Sequence, residues 1–297
     1  MAREDGPPAT VRVEFHPPLG KVFRYHVTKT TRAEISGPPT ELDQELSFEQ
    51  IAAGHLLHIG TTKIERGGQT FTPESAYTLM IPAEDAVSLL TPITLRLGPS
   101  GRIIAVHDWD KIRDVIRTIP DRVLPQLPES VRENARPRIE SGLQGIIQVS
   151  DQGAVAFIAK EWPPTLTYGG ATFEVGKTVT TTSSYYLFDG SVPVDLIHDV
   201  IVVPRAGGGL VLTETQHTDT ESFASAIASY AAQTPLPDQD EAARQANIAR
   251  MREFERVSTT HLELDEDGVL LSGYWEVRME REGVVGESTK VTFERLD

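Results

Sequence analysis

The chain has 297 residues, 39% hydrophobic and 24% charged, enough apolar material for a substantial core and too much for a disordered chain. Its net charge is −15, with −2 over residues 1–150 and −13 over the rest, and the basic residues are scattered. Without a concentrated basic face, nucleic acid and anionic lipid surfaces are poor partners, and no nucleic acid is expected; the lack of cysteine excludes disulfides, thiolate catalysis and cysteine zinc sites.

No apolar run approaches the ~20 residues of a membrane helix. The longest, Leu196 to Pro204, is broken by His198 and Asp199, so no transmembrane segment is expected. Residues 1–10 read as a flexible N-terminus and 11–297 as a single β-rich domain. The first strands follow a period of two. Val11, Val13 and Phe15 alternate with polar neighbours, and Pro17-Pro18-Leu19-Gly20 turns the chain. Phe23, Tyr25 and Val27 share one face of the next strand. Leu42–Ile51 and Leu56–Ile64 follow, ended by Gly67-Gly68. Ile93–Leu97, the turn Gly98-Pro99-Ser100-Gly101 and Ile103–Val106 make a hairpin.

Helical periodicity then takes over. Asp108 is placed to cap a helix with the stripe Trp109, Ile112, Val115, Ile116 and Ile119, which Pro120 should end. Glu129–Ile147 repeats the pattern with Val131, Ala135, Ile139, Leu143 and Ile146 inward, interrupted at Pro137. Strands return over Ala154–Lys160, Phe173–Val175, Val179–Leu187, Val200–Val203 and Leu210–Thr215. A second helical stretch covers Glu221 to about Val257, broken by Pro235 and Pro237 and resumed over Asp238–Glu255. His261–Leu264, Asp265-Glu266-Asp267-Gly268 and Val269–Leu271 form another hairpin, and Tyr274–Glu280 and Ser288–Glu294 close the series. About fourteen strands joined by short turns, with helices outside any β-α-β alternation, mean a mainly antiparallel α+β fold.

This order of parts resembles a known architecture. Phe15-His16-Pro17-Pro18-Leu19-Gly20 precedes an aromatic-alternating strand, the Ile93–Val106 hairpin runs directly into amphipathic helices, and Trp162-Pro163-Pro164 with Gly170–Gly176 opens a second sheet segment. Uncharacterised exported bacterial β-rich proteins, often lipoproteins, share this order, and the Lol-type lipoprotein carriers and mycobacterial lipid-carrier lipoproteins have the same architecture. The resemblance implies a strongly curved antiparallel sheet, an open or half barrel, with a few amphipathic helices packed on its concave side. It also implies a periplasmic location, with a signal trimmed from Met1-Ala-Arg-Glu-Asp-Gly-Pro-Pro; a cytoplasmic protein is the alternative.

Chemistry-bearing clusters are few. His107-Asp108-Trp109-Asp110 sets an imidazole and two carboxylates at a strand-to-helix junction, where His107 and Asp110 could work as acid and base or the acids could simply serve the helix N-terminus. His55 and His58 point to opposite faces of a strand, which argues against metal ligation. Asp195 and Asp199 share a face that His198 does not. Asp265-Glu266-Asp267-Gly268 lacks EF-hand spacing, and Gly207-Gly208-Gly209 lacks the Lys-Ser/Thr of a phosphate loop. No Gly-x-Ser-x-Gly, Ser-x-x-Lys or His-Glu-x-x-His is present. No cofactor or metal is expected.

Two functions fit. The first is a non-catalytic carrier for a hydrophobic ligand, an acyl chain or lipid-like molecule, held between curved sheet and helices and lined by Phe23, Tyr25, Trp109, Ile112, Ile116 and Trp162. The second is a motif-poor enzyme of isomerase, cyclase or hydrolase type, using His107 and Asp110 within the same cavity. The two differ in whether polar groups are buried on the cavity floor.

Overall fold

A computed structural model describes residues 9–33, 37–73, 83–151, 154–155, 168–187, 192–233, 246, 249, 254–281 and 284–297. Long, two-periodic strands dominate: β2 (Val22–Arg32), β3 (Thr40–Ile51), β4 (Gly54–Arg66), β5 (Gln69–Phe71), β6 (Ile93–Leu97), β7 (Ile103–His107), β9 (Val179–Leu187), β10 (Val192–Pro204), β11 (Leu210–Thr218), β12 (Phe254–Leu264), β13 (Leu270–Arg281) and β14 (Val284–Arg295). All pair antiparallel in one sheet of order β7-β6-β4-β3-β2-β14-β13-β12-β11-β10-β9, with β5 added beside β4. The sheet is not closed into a barrel: among the described residues, β7 and β9 end the order. Short β1 (Thr10–Arg12) and β8 (Thr172–Glu174) form a separate antiparallel pair.

Topologically the sheet is two meanders, β2 to β7 and β9 to β14, joined where β14 pairs with β2. The register fixes which side chains share a face. Phe23, Tyr25 and Val27 pair with Leu46, Gln44 and Leu42, and Phe293 and Val291 lie beside Val27 and Lys29. This inner face continues through Trp275 and Val277 of β13, Ser258, Thr260 and Leu262 of β12, Leu212 and Glu214 of β11, and Val200 and Val202 of β10. Most of its apolar members are buried, and the core cluster unites them with Trp109, Ile112 and Ile116.

Four helices are described: α1 (Ala83–Leu90), α2 (Trp109–Val123), α3 (Glu129–Ile147) and α4 (Thr220–Gln233). α1 packs against β4, α2 against α3, and α4 against β10. α2 buries Trp109, Ile112, Ile116 and Ile119 as its stripe predicts, but Pro120 does not end it. Proline inside a helix costs ~3 kcal/mol or more, and the burial of Ile119, Pro120 and Val123 offsets it at roughly 1.5–3 kcal/mol for each large apolar side chain. α3 likewise runs unbroken through Pro137, and Val131 is exposed where an inward side chain was expected. α1 matches no expected element, because Asp85 and Ser88 lie on its buried side with Val87 and Leu89 and blur the stripe.

Other boundaries move. Val13 and Phe15 are buried as expected, but only Thr10–Arg12 is strand; Val13 instead exchanges backbone bonds with Ala171 and Gly170. Ala154 and Val155 are helical, not strand. Residues 254–257, expected at the end of a helix, open β12, since Phe254 and Val257 pair with Arg281 and Arg278. The proposed strand at 156–160, the Trp162-Pro163-Pro164 segment and most of the helix at 238–253 lie outside the described residues. No described helix is long and apolar enough to cross a membrane.

Candidate functional site

Five of the six residues expected to line a ligand cavity fall in the packed core; the sixth, Trp162, lies outside the described residues. Phe23 packs edge-on against Phe48, with centroids 6.3 Å apart. Tyr25 is buried, and its hydroxyl donates to the Leu270 carbonyl at 2.6 Å. Burial holds this phenol well above its ordinary pKa despite the nearby Arg295 guanidinium. Trp109 donates its indole N–H to the Val149 carbonyl at 3.1 Å. Ile116 also borders a cleft of about 230 Å³ between α2 and α3, rimmed by Arg117, Asp121, Arg136 and Glu140. That is small for a ligand pocket. A different part of the inner face is more open: Trp275, Val277 and Met279 of β13 are half-buried, Trp275 beside buried Val291, Val277 between Ser258 and Thr289, and Met279 between Arg256 and Glu287.

The His107 cluster is a surface feature. His107 and Asp110 are both exposed, Asp110 with 88% of its side chain accessible and paired with Arg113. Asp108 occupies the N-cap position of α2 in the left-handed region (φ 54°), without a side-chain capping bond. Its carboxylate takes Lys111 instead, and that hydrogen bond holds it below the usual carboxylate range. His107 and Asp110 therefore do not form a buried acid–base pair. His55 and His58 do face opposite ways. His55 is buried edge-on against Phe15 and depressed in pKa by burial, while His58 meets Thr94 and Glu49 near the surface.

The remaining sequence candidates resolve into turns and ladders. Asp265 Oδ1 accepts from the N–H groups of Asp267 and Val269, and Oδ2 accepts from Arg295, so this carboxylate organises a turn. Gly207, Gly208 and Gly209 all have positive φ in the β10–β11 hairpin. A Cβ on Gly209 would lie 2.0 Å from the Leu264 carbonyl oxygen, so the run is a structural hairpin. Asp195 and Asp199 lie on the outer face, accepting from Ser184 at 3.2 Å and Thr180 at 2.6 Å. No cluster of three potential metal ligands occurs among the described residues.

The inner face carries two polar islands. One ties α1 to the sheet: Lys29 pairs with buried Asp85, Gln44 donates to Thr61 at 3.2 Å, Thr61 to Ser88 at 3.0 Å, and Ser88 to the Asp85 carbonyl at 2.8 Å. The other centres on Glu214 of β11, 1% exposed. Its Oε1 accepts from Tyr168 Oη at 2.6 Å, His198 Nδ1 at 2.7 Å and Gln216 Nε2 at 3.0 Å. Burial alone pushes this carboxyl up, but the bonds from His198, Tyr168 and Gln216 outweigh it and hold the group below its ordinary value. Beyond His198, Ser183 Oγ lies 2.6 Å from Nε2.

Sequence motifs miss this second island because its members come from three adjacent strands and, for Tyr168, from outside the sheet, with no fixed spacing. The readable signal was parity. Glu214 continues the inward series Leu210, Leu212, and His198 continues Val194, Leu196. Asp195 and Asp199, the acids near His198 in sequence, are the ones that parity rules out.

No protein-family profile matches the chain, and no curated protein matches it. Among solved structures, a porin-like protein from Bacteroides uniformis aligns over 96% of this chain and 100% of its own, at 10% identity and a TM-score of 0.22. A likeness of that size carries no argument about function, and none of these comparisons connects the chain with the Lol-type carriers.

Proposed function

We propose that the protein binds a hydrophobic ligand, an acyl chain or lipid-like molecule, with its sheet curved around the ligand and its helices closing the other side. The observation that supports this is the row of half-buried apolar side chains Trp275, Val277 and Met279 on β13, which extends the inner face outward from buried Val291. Apolar side chains left partly accessible beside a core are a favourable place to bury a ligand, at about 25 cal/mol per Å² removed from water. In this reading Phe23, Tyr25, Trp109, Ile112 and Ile116 form the packed wall behind the ligand, and contact falls on β13. The architecture of the Lol-type carriers, which the order of elements resembles, agrees with it.

Native mass spectrometry of protein purified from cells, followed by denaturing extraction and lipid analysis, should reveal a bound hydrophobic molecule. Met279→Asp should weaken a fluorescent fatty acid about tenfold, a loss of about 1.4 kcal/mol. Protein that purifies empty and fails to bind that probe overturns the proposal.

A further inference from the structure

We infer that Ser183 is a nucleophile activated through His198 and held in register by Glu214, and that the chain hydrolyses carboxylic esters at the β9 edge of its sheet. The inference stands on the second polar island alone and does not require the ligand reading above. Ser183, His198 and Glu214 sit on β9, β10 and β11, with Ser183 Oγ 2.6 Å from His198 Nε2 and His198 Nδ1 2.7 Å from Glu214 Oε1. These are the two contacts, in the required order, by which a serine–base–acid relay is recognised whatever the fold.

The protonation pattern follows from the acceptors. An ionised carboxylate only accepts, so Nδ1 of His198 carries the hydrogen, which leaves Nε2 of the neutral ring to accept from the serine hydroxyl. Two further donors, Tyr168 and Gln216, converge on the same oxygen of Glu214 and keep it ionised. Burial, and next to it the Glu214 charge, pushes the Tyr168 phenol far above its ordinary range, so it stays a donor. Accessibility is graded along the relay: Ser183 is exposed, the His198 side chain is 13% accessible and that of Glu214 1%. The reacting end faces solvent and the stabilising charge is sheltered from it.

A contrast within the chain sharpens the assignment. On the outer face His58 also lies between a hydroxyl and a carboxylate, Thr94 at 3.1 Å and Glu49 at 3.4 Å. There the Glu49 side chain is 63% accessible, its contact is long, and Thr94 belongs to an interior strand between β4 and β7. Ser183 instead lies on β9, the last strand in the described order, where alternate N–H groups point out of the ladder. Donors of that kind suit the oxyanion of a tetrahedral intermediate.

The step balances with water as the only co-reactant. Ser183 Oγ attacks the ester carbonyl carbon while its proton passes to His198 Nε2. Collapse of the tetrahedral adduct breaks the bond to the alkoxy oxygen, which leaves as the alcohol with that proton. Water then attacks the acyl-serine, His198 takes its proton, and the carboxylic acid departs as Ser183 Oγ recovers the proton. His198 and Ser183 touch the reacting atoms; Glu214 and Tyr168 position His198 and its charge.

The test uses the full chain, a fluorophosphonate probe and p-nitrophenyl esters of graded acyl length. Intact mass should show one adduct, mapped by peptide sequencing to Ser183. It should be absent in Ser183→Ala and slowed at least a hundredfold in His198→Asn and Glu214→Gln. Ser184→Ala, on the opposite face of the same strand, should label like the unmodified chain. Ester turnover should follow the same ranking, and Glu214→Gln should change the pH profile of labelling, a readout that a purely structural bond would leave alone. Circular dichroism confirms that each variant keeps its sheet, and the conservative Glu214→Gln serves if His198→Asn does not fold. No adduct at Ser183, or equal labelling in folded Glu214→Gln and unmodified protein, overturns the inference.

Discussion

Removing one oxygen atom, in Tyr25→Phe, tests how the two meanders are held together. Tyr25 lies on β2, buried, and donates to the carbonyl of Leu270, which opens β13 on the far side of β14. Phenylalanine keeps the ring and its contacts, so the change isolates the hydroxyl. A net hydrogen bond is worth about 0.5–1.5 kcal/mol, and orphaning a buried partner about 1–3. Leu270 is buried, so we expect a loss of about 1–2 kcal/mol. Urea denaturation followed by circular dichroism reads this directly: at a slope of about 3 kcal/mol/M, the midpoint falls by roughly half a molar. The phenol supplies a second readout. Burial raises its pKa in the folded state, so its contribution is complete below the unfolded value near ~10 and is lost as pH climbs past it. The stability difference between the two proteins should therefore shrink in alkali. An unchanged or higher midpoint in Tyr25→Phe would refute the bridging role.

Three further outcomes are expected. Ile116→Ala, at a fully buried position of α2, should cost about 2–5 kcal/mol by calorimetry or denaturant titration; a loss under 1 would mean that α2 does not seal the core. Gly209→Ala should destabilise by more than the roughly 1–2 kcal/mol that a Cβ costs in the left-handed region, because positive φ and the 2.0 Å approach to the Leu264 carbonyl act together; an unchanged melting temperature contradicts this. Glu214 has a folded pKa below its unfolded one, so its stabilisation is present above the unfolded value and vanishes as pH falls through the folded one. Glu214→Gln should accordingly flatten the acid limb of stability against pH, and an identical acid limb in both proteins speaks against it.

Strand periodicity carried most of the fold, because alternating burial is written locally. Val179–Leu187 has the expected bounds, as does the helix Glu129–Ile147. Prolines misled for the opposite reason: Pro120 and Pro137 weaken a helix locally, yet α2 and α3 run through them, and in α2 the burial of Ile119 and Val123 overrides the cost. α1 was illegible because its buried Asp85 breaks the apolar stripe, and its partner Lys29 lies 56 residues earlier. The Glu214 island shows the same limit. His198 is visible in the sequence, but its partners are set by register across β9, β10 and β11, and register is a tertiary fact. His107 and Asp110, three positions apart in sequence, turned out to be solvated instead.

The seam between β2 and β14 also bears on how the protein is made. Tyr25 pairs with Arg295, 270 residues later, so β2 keeps one bare hydrogen-bonding edge until nearly all of the chain described here has been synthesised. At about 5–20 residues per second, that exposure lasts on the order of ten to fifty seconds. Throughout it β2, with Phe23 and Tyr25 on one side, offers an unpaired template to any other nascent strand. Folding yield should therefore depend on translation speed and on chaperones that shield strand edges, and a nascent chain stalled before β14 should be the aggregation-prone species.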